Sequence, residues 1–362
     1  MKRIRVLALA SYPVEAASSR YRIMQFVEPL AERGIDVTFS PFLDAALFAA
    51  LYQPGKLLAR LPQVFARTVG RLGALIAAAR ADVVFVQREA MLFGPPVIEW
   101  MASRVLRRAL VLDLDDATWI PYASPVYGRL ATLLKWPSKT DALIRMARIV
   151  TSGSPHIAEY ARSKGAEAVV IPTVVDTRRF RPAEFREVEV STIGWIGTHG
   201  TYPFVERLLP IFERLAREVR FRLTIVGSGR DSIAVNGVEV ETRPWLMERE
   251  VADFQSLDIG VYPIADDAWS AGKAGFKAVQ YMATGVPFVM SPVGVCAAMG
   301  VPGETHFAAV SDDDWFESLR RLVTDIELRK RMSLTARAFS EKHYDIEPQA
   351  DALAAAIRGA LT

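Results

Sequence analysis

Cysteine is almost missing from the 362 residues: Cys296 stands alone, so no intramolecular disulfide can form, as suits a reducing compartment. Histidine is nearly as scarce. His156, His199, His306 and His343 are scattered and none falls at metal-ligand spacing, so no metal site is expected. A long apolar helix is missing too. The longest uncharged run, Ala278 to Gly303, is interrupted by Pro287, Pro292, Pro302 and several glycines, which excludes a membrane span. The apolar piece after Arg5 runs only from Val6 to Ala10, short of the h-region of a secretory signal, and the chain is expected in the cytoplasm.

What is present is an ordinary globular composition, 51% hydrophobic and 23% charged, at a length that suits two domains. The net charge of +3 hides an asymmetry. Residues 1–180 hold 24 basic and 15 acidic side chains, and the remainder 20 and 26. The basic half favours anionic partners. Its arginines and lysines lie on amphipathic stretches without interleaved aromatics, which argues against nucleic acid and for an anionic membrane surface. In the first stretch Lys56, Arg60, Arg67 and Arg71 accompany Leu57, Leu58, Leu61, Val64, Phe65 and Val69. The others are Arg104, Arg107 and Arg108, then Arg129, Lys135, Lys139 and Arg145.

Short β-rich runs alternate with helical periodicity along the whole chain. Strands are expected at 5–10, 35–40, 83–86, 110–114, 148–151 and 168–171, and helices at 20–33, 44–80 (broken near Pro54-Gly55), up to Ala147, and 155–164. The pattern then restarts, with strands at 191–196, 221–226, 238–241, 259–262 and 287–290. Helices are expected at 202–219, 246–254, 275–283 and from Asp312, whose acidic first turn suits the helix dipole. Such spacing implies parallel βαβ units. Two series separated by the polar segment Pro172–Glu187 imply two Rossmann-like domains, with ligands beyond the carboxyl ends of their strands, facing a central cleft.

Ala271 to Val289 is the richest stretch in chemistry: a glycine-bearing loop, a short helix, Gly285 and a buried strand. Amides near Gly275 and Phe276 opening that helix would attract a phosphate, and Lys273 and Lys277 share a face if both are helical. The alternative is a tight turn with solvated lysines. Ala17-Ser-Ser-Arg-Tyr-Arg22 follows the first strand, and Ser18, Ser19 and Arg20 are candidates for a phosphate or acceptor loop, against a plain serine-capped helix start. Leu112-Asp-Leu-Asp-Asp-Ala-Thr-Trp119 ends another strand with three carboxylates, costly unless exposed or paired. Asp115 and Asp116 are the candidates for contact with sugar hydroxyls or acceptor. Arg88 and Glu89 read as a structural ion pair. Trp245 is a candidate for stacking on a base, and Trp195 for core filling.

Gln280-Tyr-Met-Ala-Thr-Gly-Val-Pro-Phe-Val289 resembles the EAMA-x-G-x-PVV signature of glycosyltransferase family 4. Val226-Gly-Ser-Gly229 and Ile193-Gly-Trp-Ile-Gly197 are similar to that family's glycine turns, and Val170-Ile-Pro-Thr-Val-Val-Asp176 followed by Phe180 to its IPNGVD-x-x-x-F hinge. The resemblance implies a GT-B fold: an acceptor domain at 1–175, a nucleotide-sugar donor domain at 176–344, and a terminal helix at 345–362 crossing back to the first domain. It implies metal-independent retaining transfer of a sugar from a nucleoside diphosphate sugar to a hydroxyl acceptor, in polysaccharide, glycolipid or glycoconjugate synthesis. The donor is a substrate and no further cofactor is implied. The resemblance and the residues read together give donor-contact candidates at Gly197, Thr198, His199, Gly227, Lys273, Gly275, Phe276, Lys277 and Gln280, and catalytic candidates at Asp115, where the family often has a histidine, Asp116 and Lys273. Lipid-linked acceptors and peripheral contact with the inner membrane face belong to the same picture. The sequence departs from the family where its E-x7-E pair falls on Gly272 and Gln280, and where its phosphate-clamping Arg and Lys fall near Thr198 and Pro203. Two rival expectations follow: a nucleotide-sugar epimerase on the same fold, and a non-catalytic nucleotide-sugar-binding protein.

Overall fold

The computed structural model describes residues 3–51, 59–121, 136–184 and 187–362. They form an α/β protein with two six-stranded, wholly parallel sheets and two compact units. One unit is Met1–Thr173 with Gly272–Ala274 and Ile346–Thr362; the other is Val174–Ala271 with Gly275–Asp345.

The first unit contains β1 (Ile4–Ala10), β2 (Ile35–Pro41), β3 (Val83–Gln87), β4 (Ala109–Leu114), β5 (Ile149–Ser152) and β6 (Glu167–Val170), in the order β2-β1-β3-β4-β5-β6. Its helices are α1 (Ala17–Arg22), α2 (Val27–Glu32), α3 (Ala45–Leu51), α4 (Leu61–Gly70), α5 (Ala74–Arg80), α6 (Val97–Trp100), α7 (Lys139–Met146) and α8 (Pro155–Ser163). Strand β3 is buried along its whole length, as a central parallel strand covered on both faces must be. Leu9, Val84, Val86, Leu112 and Val150 build the core against Ile98, Ile144 and Ile157.

The second unit contains β7 (Ser191–Ile196), β8 (Phe221–Val226), β9 (Glu239–Arg243), β10 (Ile259–Tyr262), β11 (Phe288–Met290) and β12 (Phe307–Ala308), in the order β12-β11-β10-β7-β8-β9. Its helices are α9 (Tyr202–Glu206), α10 (Leu209–Leu215), α11 (Glu250–Gln255), α12 (Ala268–Ala271), α13 (Phe276–Ala283), α14 (Asp312–Thr324) and α15 (Ile326–His343). Strand residues Ile193, Leu223, Ile259 and Val289 pack with Phe212, Leu215, Trp315 and Leu319, and Trp195 is part of this core. Ser311 closes a reciprocal capping box with Asp314 at the start of α14. The last helix, α16 (Ile346–Gly359), packs in the first unit, where Arg33 on the end of α2 bonds Glu347 at 3.1 Å and Asp351 at 2.6 Å.

Several helices are shorter than the periodicity predicts. The 202–219 segment splits into α9 and α10 because Pro210, without an N–H, cannot continue the ladder from the preceding turn. The 20–33 segment breaks at Ile23 and restarts at Val27, with Pro29 in the new first turn. The Pro54-Gly55 break, Lys56, Leu57, Leu58, Arg129 and Lys135 lie outside the described residues. Among the described residues no helix is long and apolar enough to cross a membrane.

Candidate active sites at the carboxyl ends of the sheets

In the second unit the strand order reverses between β7 and β10, and open parallel sheets bind ligands at such a switch point, beyond the strand ends. Four segments meet there. The first is the turn after β7. Gly197 donates its N–H to the Val226 carbonyl at 3.0 Å, and Thr198 accepts from the amides of Thr201 and Tyr202 at 2.9 and 3.0 Å. The second is the turn after β8. Gly227 sits at φ +78°, and a Cβ there would lie 2.2 Å from the Gly197 carbonyl oxygen, so only glycine lets the two turns close on each other. Trp245 flanks Gly227, half-buried, and His199 flanks Gly229. Burial lowers the His199 pKa, so its ring is neutral at physiological pH.

The third segment is the end of β10 at Tyr262, and the fourth is the start of α13, led by Gly275 and with no acidic residue in its first turn. Lys277, in that turn, holds its Nζ 5.4 Å from the Tyr262 ring centre and 5.8 Å from that of Trp195 on β7. Two aromatic faces therefore fix the ammonium at the switch point. Trp195 fills core and also forms part of this seat. Phe276 is half-buried beside Lys277. Gln280, by contrast, is buried, and its amide nitrogen donates to Glu250 at 3.3 Å. No local motif in the sequence pointed to Glu250.

In the first unit the three carboxylates at the end of β4 and just after it are all partnered. Asp113 forms a fully buried two-point ion pair with Arg22, at 3.0 and 2.5 Å, and accepts from the Thr151 hydroxyl at 2.7 Å. Asp115 is gripped by Arg88 at 2.5 and 2.9 Å and by the Gln87 amide at 2.9 Å. Arg88 adopts φ +60°, uncommon for a non-glycine residue, and reaches Asp116 at 3.5 Å. The two neighbours titrate apart. Burial pushes the Asp115 pKa up, but the Arg88 guanidinium outweighs it and the group ends below its ordinary value. Burial dominates at Asp116 and raises its pKa, against the opposing pull of Arg88 and Lys273. A pair of carboxyls pushed in opposite directions supplies both a firm acceptor and a group able to hold a proton.

Gly272–Ala274 packs within this unit. A Cβ on Gly272 would lie 2.4 Å from the Ala117 Cβ, so the position where the family resemblance calls for glutamate has no room for a side chain.

The structure places the remaining candidates as follows. Arg88 pairs with the two aspartates, and Glu89 instead takes Lys139 at 2.5 Å. Lys139 is buried and also donates to the Met91 and Leu92 carbonyls, so it forms no part of a basic surface. Ser19 is buried with its hydroxyl on the Tyr12 carbonyl at 2.7 Å. Arg20 is buried with its guanidinium on the Glu15 and Val14 carbonyls at 2.7 and 3.3 Å. These two side chains shape the turn at 12–15, and of the three loop candidates only Ser18 is half-exposed. Among the described residues no three His, Cys, Asp or Glu side chains come together as metal ligands.

Residues 190–325, which span β7 to α14, match the family model described as "Glycosyl transferases group 1". No protein of curated function matches in sequence. Among solved structures the fold is similar over nearly the whole chain to that of sucrose-phosphate synthase from Thermosynechococcus elongatus. The TM-score is 0.70 and the identity 14%, covering 99% of this chain and 98% of that one. Anabaena HepE in complex with UDP-glucose is similar at TM-score 0.69 and 14% identity, covering 99% and 100%. A glycosyltransferase from Rickettsia africae reaches 0.70 at 11% identity, covering 100% and 99%.

Proposed function

We propose that this chain is a retaining glycosyltransferase that moves a sugar from a nucleoside diphosphate sugar to a hydroxyl acceptor, in polysaccharide, glycolipid or glycoconjugate synthesis. The observation that carries the reading is the ammonium of Lys277 at the β7–β10 switch point, beside the amides opening α13 and two glycine turns. All of it lies within the stretch matching the glycosyltransferase model. The site suits a diphosphate. Backbone donors and a helix N-terminus attract the anion, and a fixed lysine neutralises the charge that develops on the leaving group. HepE is a structural neighbour solved with UDP-glucose and with UDP, which makes a uridine nucleotide the first donor to try.

In this reading Gly197, Thr198, Gly227 and Phe276 line the donor site, with His199 contributing a neutral ring. Gln280 and Glu250 act together from beneath it. Lys273, in the first unit, is a further cationic candidate. Asp115 accepts from sugar hydroxyls, and Asp116, with its raised pKa, either donates or accepts. The side-chain contact that the family draws from a glutamate passes to these aspartates, since Gly272 has no space for one. The departing phosphate oxygen takes the acceptor proton on the same face, so no separate base is required. No metal or cofactor is assigned a role. We place the enzyme in the cytoplasm at the inner membrane face, supported by the exposed apolar row Leu61, Phe65, Val69, Leu72 and Ile76 along α4 and α5.

The same aspartate pair favours one rival, a nucleotide-sugar epimerase, which needs acid and base carboxyls and no acceptor. Product analysis on incubation with UDP-glucose and related donors separates the two. Release of UDP with a glycoside of unchanged anomeric configuration is expected. An epimerised nucleotide sugar, an inverted glycoside, or tight nucleotide binding without turnover would each overturn the proposal.

A further inference from the structure

Arg71 is a buried cation whose surroundings call for an anion. It is 5% exposed, and its guanidinium donates to the Ala90 carbonyl at 2.9 Å, to the Ser40 carbonyl and hydroxyl at 2.8 and 2.9 Å, and to the Ala10 carbonyl at 3.3 Å. All four acceptors are neutral, and among the described residues no carboxylate lies within ion-pair distance of it. Glu99, whose charge favours the guanidinium, is buried and not within ion-pair distance; its carboxyl accepts from the Ala90 amide at 2.7 Å. Buried charges are normally paired, so an unpaired guanidinium marks a place where a ligand can complete the pair.

Arg71 lines a cavity of about 660 Å³ between the carboxyl end of β2 and helices α3 and α4, together with Ser40, Asp44, Arg60, Gln63 and Arg67. The one carboxylate in this wall is already engaged. Asp44 accepts from the Leu47 amide at 2.8 Å and from Arg67 at 2.5 Å. Arg60 donates to the side-chain oxygen of Gln63 at 3.1 Å and has no carboxylate partner among the described residues. The volume falls in the range of small-molecule sites and exceeds what a bare ion needs. Guanidinium groups match phosphate oxygens through paired donors.

We infer that this cavity binds the phosphate of a phosphorylated sugar, with Arg60 as its principal hydrogen-bonding contact and Arg71 contributing its buried charge and its one remaining N–H. The inference rests on the proposed function only in calling this ligand the acceptor or a part of it.

Binding of glucose 1-phosphate, glucose and inorganic phosphate to the full chain, followed by calorimetry, tests it. A second arm uses phosphatidylcholine vesicles carrying a lipid-linked sugar phosphate. Binding of glucose 1-phosphate over glucose and over inorganic phosphate is expected, weakened about tenfold or more in Arg60→Gln, since a hydrogen bond to a charged group is lost. Arg71→Lys, which keeps the charge but cannot hold the four contacts that fix the group in the wall, should weaken it as well. If Arg71→Lys does not fold, the half-exposed Arg60 still decides the matter. Binding of the vesicle-borne ligand alone, sensitive to Arg60→Gln, assigns the phosphate to a lipid carrier and sustains the inference. No binding in either arm, equal binding of inorganic phosphate, or indifference to both substitutions overturns it. UDP binding measured on the same variants reports separately on the donor site, so failure here and failure of the glycosyltransferase reading are told apart.

Discussion

Replacing Arg22 by methionine should destabilise the first unit far more than a surface change would. Its guanidinium makes four hydrogen bonds: two to Asp113, one to the Ile171 carbonyl at 2.7 Å and one to the Thr173 hydroxyl at 3.3 Å. Side-chain exposure is 2% for Arg22 and 1% for Asp113, so water cannot replace what is lost. Removing one partner of such a pair leaves an uncompensated buried charge, with a typical cost of about 3–5 kcal/mol. Among the described residues Asp113 would keep only Thr151 as a donor side chain. Hydrogen exchange read strand by strand is the suitable assay, because two units make a single unfolding midpoint ambiguous. Amides of β4 and β5 should exchange about a hundredfold faster or more in Arg22→Met, while those of β7 and β8 stay unchanged. The double variant Arg22→Met/Asp113→Leu removes both charges and should recover most of the loss. A cost below about 1 kcal/mol for the single variant, or a double variant as poor as the single, would refute the reasoning.

Three further outcomes follow from individual residues. Gly272→Glu should destabilise by about 1–3 kcal/mol in a thermal melt, through overpacking against Ala117, and Ala117→Gly in the same chain should relieve it. Asp116→Asn should stabilise at neutral pH. The folded Asp116 pKa is raised by burial, so its contribution is present below the unfolded value near 3.9 and is lost as pH rises through the folded one; the gain from Asn should vanish at and below about pH 4 in a melt series. His306 is 1% exposed, stacks on Phe288, and is lowered by burial to about 4. Its contribution is full above the unfolded value near 6.5 and declines by about 3 kcal/mol as pH falls to 4; His306→Phe should flatten that slope in denaturant titrations.

Strands β7, β8 and β10 fall on the expected segments because short runs of buried apolar residues, mostly β-branched or aromatic, mark them even with a polar residue or a glycine between: Ile193, Trp195 and Ile196, then Leu223, Ile225 and Val226, then Ile259 and Val261. Strand β12, only two residues long, carries no such signal, and α15 reads weakly because its apolar face is narrow. Helix ends were blurred by proline, whose effect at Pro210 and Pro29 outweighs a continuous 3.6-residue pattern. At the candidate sites, the glycine turns and the lysines around α13 were legible because backbone conformation and local charge are written in neighbouring residues. The ion-pair partners were not. Arg22 meets Asp113 across 91 positions, and Gln280 meets Glu250 across 30. Ser19 and Arg20 have the composition of a ligand loop, yet fold inward to satisfy the carbonyls of the turn just before them. Residue type was informative there; side-chain direction was not.

Thermal stabilisation by UDP, GDP, dTDP and ADP, on the wild type and on Lys277→Ala, tests the donor site most directly. At about one hundred times its dissociation constant a nucleotide should stabilise the wild type by about 2.7 kcal/mol. Loss of a charged contact in Lys277→Ala should weaken binding at least about tenfold and remove much of the shift. No shift with any of the four nucleotides, or an equal shift in the variant, would contradict a diphosphate held at the β7–β10 switch point.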